Sequence, residues 1–234
     1  MNQHLRDSAA HVFVDDLASP ELDETDRHHL GRVLRLRDGE QVSASDGDGR
    51  WRVCTWTDGS IEASGGIIET PGPSSRVGVA FVPVKGDRNE WTVQKLTEIG
   101  VDDIVVVAPT RRSVVRWSDP DKQLHKLRVA AREAAMQSRR VRLPSVAGLA
   151  SLSEVLARPG VALADPDGLA LIADSRESAS QSSGPSMLVV GPEGGFDPDE
   201  IASSVARVSL GDTILRAETA TLVAATLLVA RRSR

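Results

Sequence analysis

Along the first seventy residues the apolar positions come in short runs divided by turn chemistry. His11 to Asp15 (HVFVD) alternates with period two. Gln41 to Ser45 (QVSAS) runs into Asp46-Gly47-Asp48-Gly49, and Trp51 to Trp56 (WRVCTW) runs into Asp58-Gly59. Alternation on both sides of Asp-Gly predicts hairpins, because Gly accepts the positive φ of a tight turn. A short helix is expected over Asp26 to Leu34 despite Gly31. Together these segments predict a small β-rich barrel over residues 1–72. Thr70-Pro71-Gly72-Pro73-Ser74-Ser75 reads as a linker, since Pro and Gly punctuate a change of pattern there.

Beyond the linker, residues 73–234 read as α/β. Val77 to Val84 (VGVAFVPV) and Ile104 to Ala108 (IVVVA) are continuous apolar runs of buried-strand length. Asn89 to Ile99 is helical, with Thr92, Leu96 and Ile99 on one face and Gly100 as its stop. Asp121 to Gln137 is a helix whose Leu124, Leu127, Ala131, Ala134 and Ala135 step by three and four. Val161 to Ala164, Met187 to Val190 and Arg207 to Leu210 are short strands. A further helix starts near Asp197, and Ala217 to Ala230 is a final apolar helix. Strands alternating with helices predict a mainly parallel sheet. Ser175 to Ser186 (SRESASQSSGPS) is expected to be a surface loop.

Composition narrows the picture. The 234 residues are 40% hydrophobic and 26% charged, an ordinary globular balance, and the single Cys54 excludes an internal disulfide and a multi-cysteine zinc site. One cysteine and no apolar signal segment at the start fit a cytoplasmic protein, and no stretch is long and apolar enough for a membrane span. The net charge of −5 excludes a globally basic coat for nucleic acid. With no Tyr and only three Phe and four Trp, a broad aromatic platform for single strands is unexpected. Charge is uneven, however. Residues 111–142 hold ten Arg or Lys against three acids, which is either a phosphate-binding cluster or a solvated helix face. A second group is Arg27, His28, His29, Arg32, Arg35 and Arg37. Adjacent histidines on a helix point about 100° apart, so no metal site is expected.

Candidate chemistry is concentrated in the last fifty residues. Met187 to Phe196 (MLVVGPEGGF) is a strand running into a glycine loop, at the end of a strand where α/β folds bind ligands. There is no GxxxxGK[ST] and no GxGxxG. The acids at Asp197, Asp199 and Glu200 disfavour a phosphate and favour a neutral or cationic ligand. A tight turn without any ligand is the plainer alternative. A second segment, Val208 to Ala220 (VSLGDTILRAETA), places an irregular stretch before a helix start, where Glu218 and Thr219 sit beside free backbone N–H groups. Simple helix capping by Glu218 would explain it as well.

These two segments together resemble the RsmE family, SPOUT-superfamily methyltransferases that act on uridine N3 of 16S rRNA. Lys85-Gly86-Asp87-Arg88 with Glu90-Trp91, Gln94 to Gly100, Arg112-Ser113, Glu133-Ala134 with Gln137-Ser138 and Arg140, and His28-His29-Leu30 with Val33-Leu34-Arg35 resemble further blocks of that family. Met136, Arg139 and Ala164-Asp165-Pro166 depart from its pattern. The resemblance implies a PUA-like RNA-binding β-barrel at 1–72. It implies a SPOUT domain with a deep trefoil knot at 73–234, a homodimer, and S-adenosylmethionine (SAM) as cofactor. By the same resemblance SAM lies against Leu163, Pro166, Gly191, Pro192, Glu193, Gly194, Gly195, Leu210, Gly211, Ile214, Leu215, Thr219 and Ala220.

The site must favour the uridine N3 anion, either by a base or by nearby cations. Glu193 or Glu218 is the expected acceptor, and Arg216 the expected stabiliser of the anion. Arg27, Arg32, Arg35, Arg111, Arg112, Arg139 and Arg140 are the expected RNA contacts, with an assembled small ribosomal subunit as the substrate. A methyltransferase for another base or a ribose hydroxyl, and an RNA-binding module without catalysis, stand as alternatives.

Overall fold

The computed structural model describes residues 2–171 and 184–232. Most of the serine-rich segment, residues 175–183, lies outside the described residues. The chain divides into two compact units, one of Met1–Pro73 with Arg132–Leu143 and one of Ser74–Ala131 with Pro144–Arg234. The break after Pro73 falls in the expected linker. The inclusion of Arg132–Leu143 in the first unit was not foreseen.

In the first unit a short helix α1 (Gln3–Asp7) precedes five strands: β1 (Ala10–Phe13), β2 (Gln41–Ser45), β3 (Arg50–Thr57), β4 (Ser60–Ala63) and β5 (Ile68–Glu69). They pair in the order β1-β2-β3-β4, with β5 also on β3, and β1 runs parallel to β2. The Asp58-Gly59 turn closes the β3–β4 hairpin as expected, with Asp58 and Gly59 both at positive φ. Asp26–Leu34 is not one regular helix. It is α2 (Glu24–His28), N-capped by Asp23, followed by a π-helical turn at His29–Val33. The core includes Val12, Leu30, Val42, Ala44, Cys54 and Trp56. Burial pushes the Cys54 thiol up to about 11, so this cysteine is packing and not a nucleophile.

The residues at 132–143 are bound into this unit by polar contacts. Arg132 donates to both oxygens of buried Asp26, at 2.6 and 3.2 Å, and its guanidinium lies over the Phe13 ring. Buried His11 meets Ser43 Oγ at 2.8 Å and the Arg140 carbonyl at 3.0 Å. A neutral ring satisfies both if Nε2–H donates to the carbonyl and Nδ1 accepts from the hydroxyl. Burial lowers the His11 pKa to about 4, which keeps the ring neutral.

The second unit is built on a six-stranded parallel sheet. Its strands are β6 (Gly78–Phe81), β7 (Asp103–Val107), β8 (Ser145–Ala150), β9 (Val161–Ala170), β10 (Met187–Val190) and β11 (Arg207–Ser209), in the order β11-β9-β10-β6-β7-β8. Its helices are α3 (Arg88–Ile99), α4 (Pro120–Gln137), α5 (Leu152–Leu156) and α6 (Ala217–Arg232). Both faces of the sheet are covered. Val79, Phe81, Ile104 and Val106 pack with Val93, Leu96, Leu127, Ala224 and Leu228. Ala80, Val82, Val105 and Val107 pack with Leu152, Val155, Leu163 and Val189. Successive residues feed opposite cores, which is why these strands read as unbroken apolar runs. Each fully buried Val or Leu contributes about 1.5–3 kcal/mol against leaving it exposed.

α3 ends at Gly100, whose φ of 107° and N–H bonds to Leu96 and Thr97 carbonyls make it the expected stop. β8 and α5 were not anticipated. The helix expected from Asp197 is only a single 3₁₀ turn at Pro198–Glu200, with Asp197 and Glu200 forming a capping box. Among the described residues no helix is long and apolar enough to cross a membrane.

Candidate active site

Ligand sites in open parallel sheets lie beyond the carboxyl ends of the strands. Here β11, β9 and β10 are neighbours, and the segments at their carboxyl ends converge on one cavity of about 760 Å³. The first wall comes from β9. Its pairing with β11 jumps from Leu163 to Leu169, so residues 164–168 bulge out of the ladder. Asp165 Oδ1 accepts the Asp167 N–H at 3.0 Å and shapes that bulge, and Asp165 Oδ2 pairs with Arg207 at 2.8 Å. Gly168 is required there, because a Cβ would lie 2.5 Å from the Val208 nitrogen.

The second wall is the glycine loop after β10. Gly195 donates its N–H to the Pro192 carbonyl at 2.8 Å and has a φ of 68°, a conformation that side chains resist. At Gly191 a Cβ would press on the Phe196 ring at 3.0 Å. The third wall is the irregular stretch after β11, Leu210 to Ala217, where Gly211 has a φ of 145°.

Leu163, Pro166, Gly191, Pro192, Glu193, Gly195, Leu210, Gly211, Ile214, Leu215, Arg216 and Ala220 all line this cavity. Gly194, Thr219 and Glu218 do not. Gly194 offers its carbonyl to Arg112 Nη1 at 3.2 Å, and Thr219 is exposed in the first turn of α6. Glu218 sits behind the wall, its side chain 15% exposed and 3.2 Å from Arg88 Nη1. Arg88, Asp165, Phe196, Arg207 and Thr213 also line the cavity and were not among the expected site residues. The Lys85-Gly86-Asp87-Arg88 block was the available signal for Arg88.

The lining suits SAM by shape, and its charges are mixed: Arg88, Arg207 and Arg216 with Asp165 and Glu193. Leu163, Leu210, Ile214 and Leu215 offer an apolar surface for a flat base, and the glycines allow close backbone approach. Glu193 would supply one negative charge on the wall to a bound sulfonium. Among the described residues no group of three or more His, Cys, Asp or Glu side chains could hold a metal ion.

The expected RNA contacts divide in two. Arg27 on α2, Arg32 on the π-helical turn and Arg35 just beyond it are exposed, beside exposed Val33 and Leu34. Arg27 also donates to the Leu22 carbonyl at 3.3 Å. The block at 111–142 is largely committed within the protein. Arg111 lies 3.4 Å from Asp199 and 3.7 Å from Asp197, and Arg112 Nε lies 3.8 Å from Asp197. The acids that disfavoured a phosphate therefore have these arginines as partners. Arg139 donates to the Ser8 and Ala9 carbonyls, and Arg140 contributes its carbonyl to His11. Arg139 and Arg140 belong to the first unit, not to the catalytic part where the sequence pattern put them.

Sequence and fold relatives agree with this geometry. Residues 71–229 match the model of the RNA methyltransferase domain, and residues 22–62 match the RNA methyltransferase PUA domain. The chain belongs to the ribosomal RNA small subunit methyltransferase E family. A member from Mycobacterium tuberculosis is 34% identical over 87% of this chain and 83% of its own length. One from Bacillus subtilis is 31% identical over 84% of each. The Neisseria gonorrhoeae ribosomal RNA small subunit methyltransferase E, solved bound to S-adenosyl methionine, superposes with a TM-score of 0.79 at 26% identity. That match covers 95% of this chain and 97% of that one.

Proposed function

We propose that this protein transfers the methyl group of SAM to N3 of a uridine in 16S rRNA of the small ribosomal subunit, working as a homodimer in the cytoplasm. The observation that carries the reading is the cavity at the ends of β11, β9 and β10, where glycines, apolar residues and Glu193 meet in one wall system. When bound there, SAM supplies a methyl carbon activated by its positive sulfur. The chain's own residues do the rest. Gly191, Gly195 and Gly211 let backbone approach the donor, and Leu163, Leu210 and Leu215 exclude water from its base.

The uridine presents N3, which lies on its pairing edge, so the base enters unpaired. Glu193 accepts the N3 proton. The freed nitrogen pair forms the N–C bond as the S–C bond breaks, and that bond's electrons stay on sulfur. Arg216, on the cavity wall, stabilises negative charge on the ring oxygens until the methyl arrives. The PUA unit holds RNA through Arg27, Arg32 and Arg35, with phosphate contacts that position without specifying sequence. Arg111 and Arg112 are further candidates for RNA contact.

The test uses small subunits from a strain lacking this protein. They are incubated with purified protein and labelled SAM, and the 16S rRNA is mapped by mass spectrometry. One new methyl on N3 of one uridine is expected. A methyl on another base or on a ribose replaces the substrate assignment, and no incorporation removes the activity.

A further inference from the structure

Three segments far apart in sequence meet at one guanidinium. Arg88 is the first residue of α3, and the loop before it is closed by a side chain of that helix. Buried Asn89 pairs with both polar groups of the Val84 backbone, accepting its N–H at 2.9 Å and donating to its carbonyl at 2.7 Å. Arg88 Nη1 then lies 3.2 Å from Glu218 Oε1 and 3.8 Å from Glu193 Oε1. Glu193 and Arg88 line the cavity, whereas Glu218 stands behind them. Glu218 Oε2 is buried and has no hydrogen-bond partner among the described residues.

The two carboxylates therefore have different work. Glu218 is shielded from solvent, and its ion pair is with Arg88. Glu193 is 59% exposed, sits on a glycine loop and has little else to fix it. Of the other charged residues lining the cavity, Arg207 pairs with Asp165, and Arg216 stands on the stretch before α6.

Building on the proposed methyl transfer, we infer that Arg88, anchored by Glu218, is a positioning residue that holds Glu193 at the cavity wall as the acceptor for the pyrimidine N3 proton. A charged tether limits the loop to orientations that face the substrate. The role needs a positive charge at that point, not a particular shape.

The test compares Arg88→Gln, Arg88→Lys and Glu218→Gln with wild type, using methyl transfer to small subunits and calorimetric titration with SAM. Arg88→Gln is expected to lower kcat tenfold or more while the Kd for SAM changes less than threefold. Arg88→Lys should restore most of kcat. Adding Arg88→Gln to Glu218→Gln should cost little more than either alone. Unchanged kcat in Arg88→Gln, a parallel loss of SAM affinity, or no rescue by Arg88→Lys would each overturn the inference. Absence of transfer by the wild type would instead strike the proposed function.

Discussion

His11 gives the sharpest quantitative expectation. Its ring is buried between Ser43 and the Arg140 carbonyl, with a pKa lowered from 6.5 to about 4. In the unfolded chain the ring takes a proton near pH 6.5, and in the folded protein it does so only near pH 4. Between those values the unfolded state binds more protons, so stability falls as pH falls. The slope is about 1.4 kcal/mol per pH unit, and the total loss is about 3 kcal/mol. From pH 7.5 to pH 5 the share is about 2 kcal/mol. The assay is urea unfolding of the full chain with Trp91 and Trp117 replaced by Phe, so that fluorescence reports the buried Trp51 and Trp56 of the first unit. Wild type and His11→Gln are compared at both pH values, and the difference between them isolates the imidazole from the carboxylates. Equal pH dependence in the two proteins, or an NMR titration of the His11 imidazole near pH 6.5, would refute the reasoning.

Three further outcomes are expected. Gly195→Val forces a β-branched side chain into a φ of 68°, so calorimetry should show SAM binding weakened at least about tenfold; unchanged affinity would take the glycine loop out of the cofactor site. Arg216→Ala should lower the methyl-transfer rate about a hundredfold with the melting temperature preserved; wild-type turnover would remove its role. Replacing Arg32 and Arg35 together by Gln should weaken RNA binding and reduce the log–log salt slope by about 1.5; an unchanged slope would place the RNA on other residues.

Local pattern carried much of the fold. Unbroken apolar runs at Val77–Val84 and Ile104–Ala108 marked strands buried on both faces, and Gly100 marked a helix end, because burial and backbone freedom are read residue by residue. In the second unit two elements escaped. β8 (SVAGLA) is short and carries an internal Gly, so no period stands out. α5 is only five residues long, although its Ser151–Glu154 capping box was a readable signal. The glycine segments near residues 195 and 211 were legible as a candidate ligand site because a loop needing positive φ leaves its mark in residue type.

Charge was the least legible property. A cluster in sequence says nothing of its partners, and only the folded chain showed Arg111 and Arg112 beside Asp197 and Arg132 against Asp26. The sequence by itself determined two units, a parallel sheet and the segments that carry the site. The tertiary structure decided that Arg132–Leu143 packs with the amino-terminal unit and that Arg88 meets Glu193 and Glu218. The physical reason is range. Propensity and periodicity act over a few residues, whereas an ion pair across 130 positions exists only once the chain has closed around it.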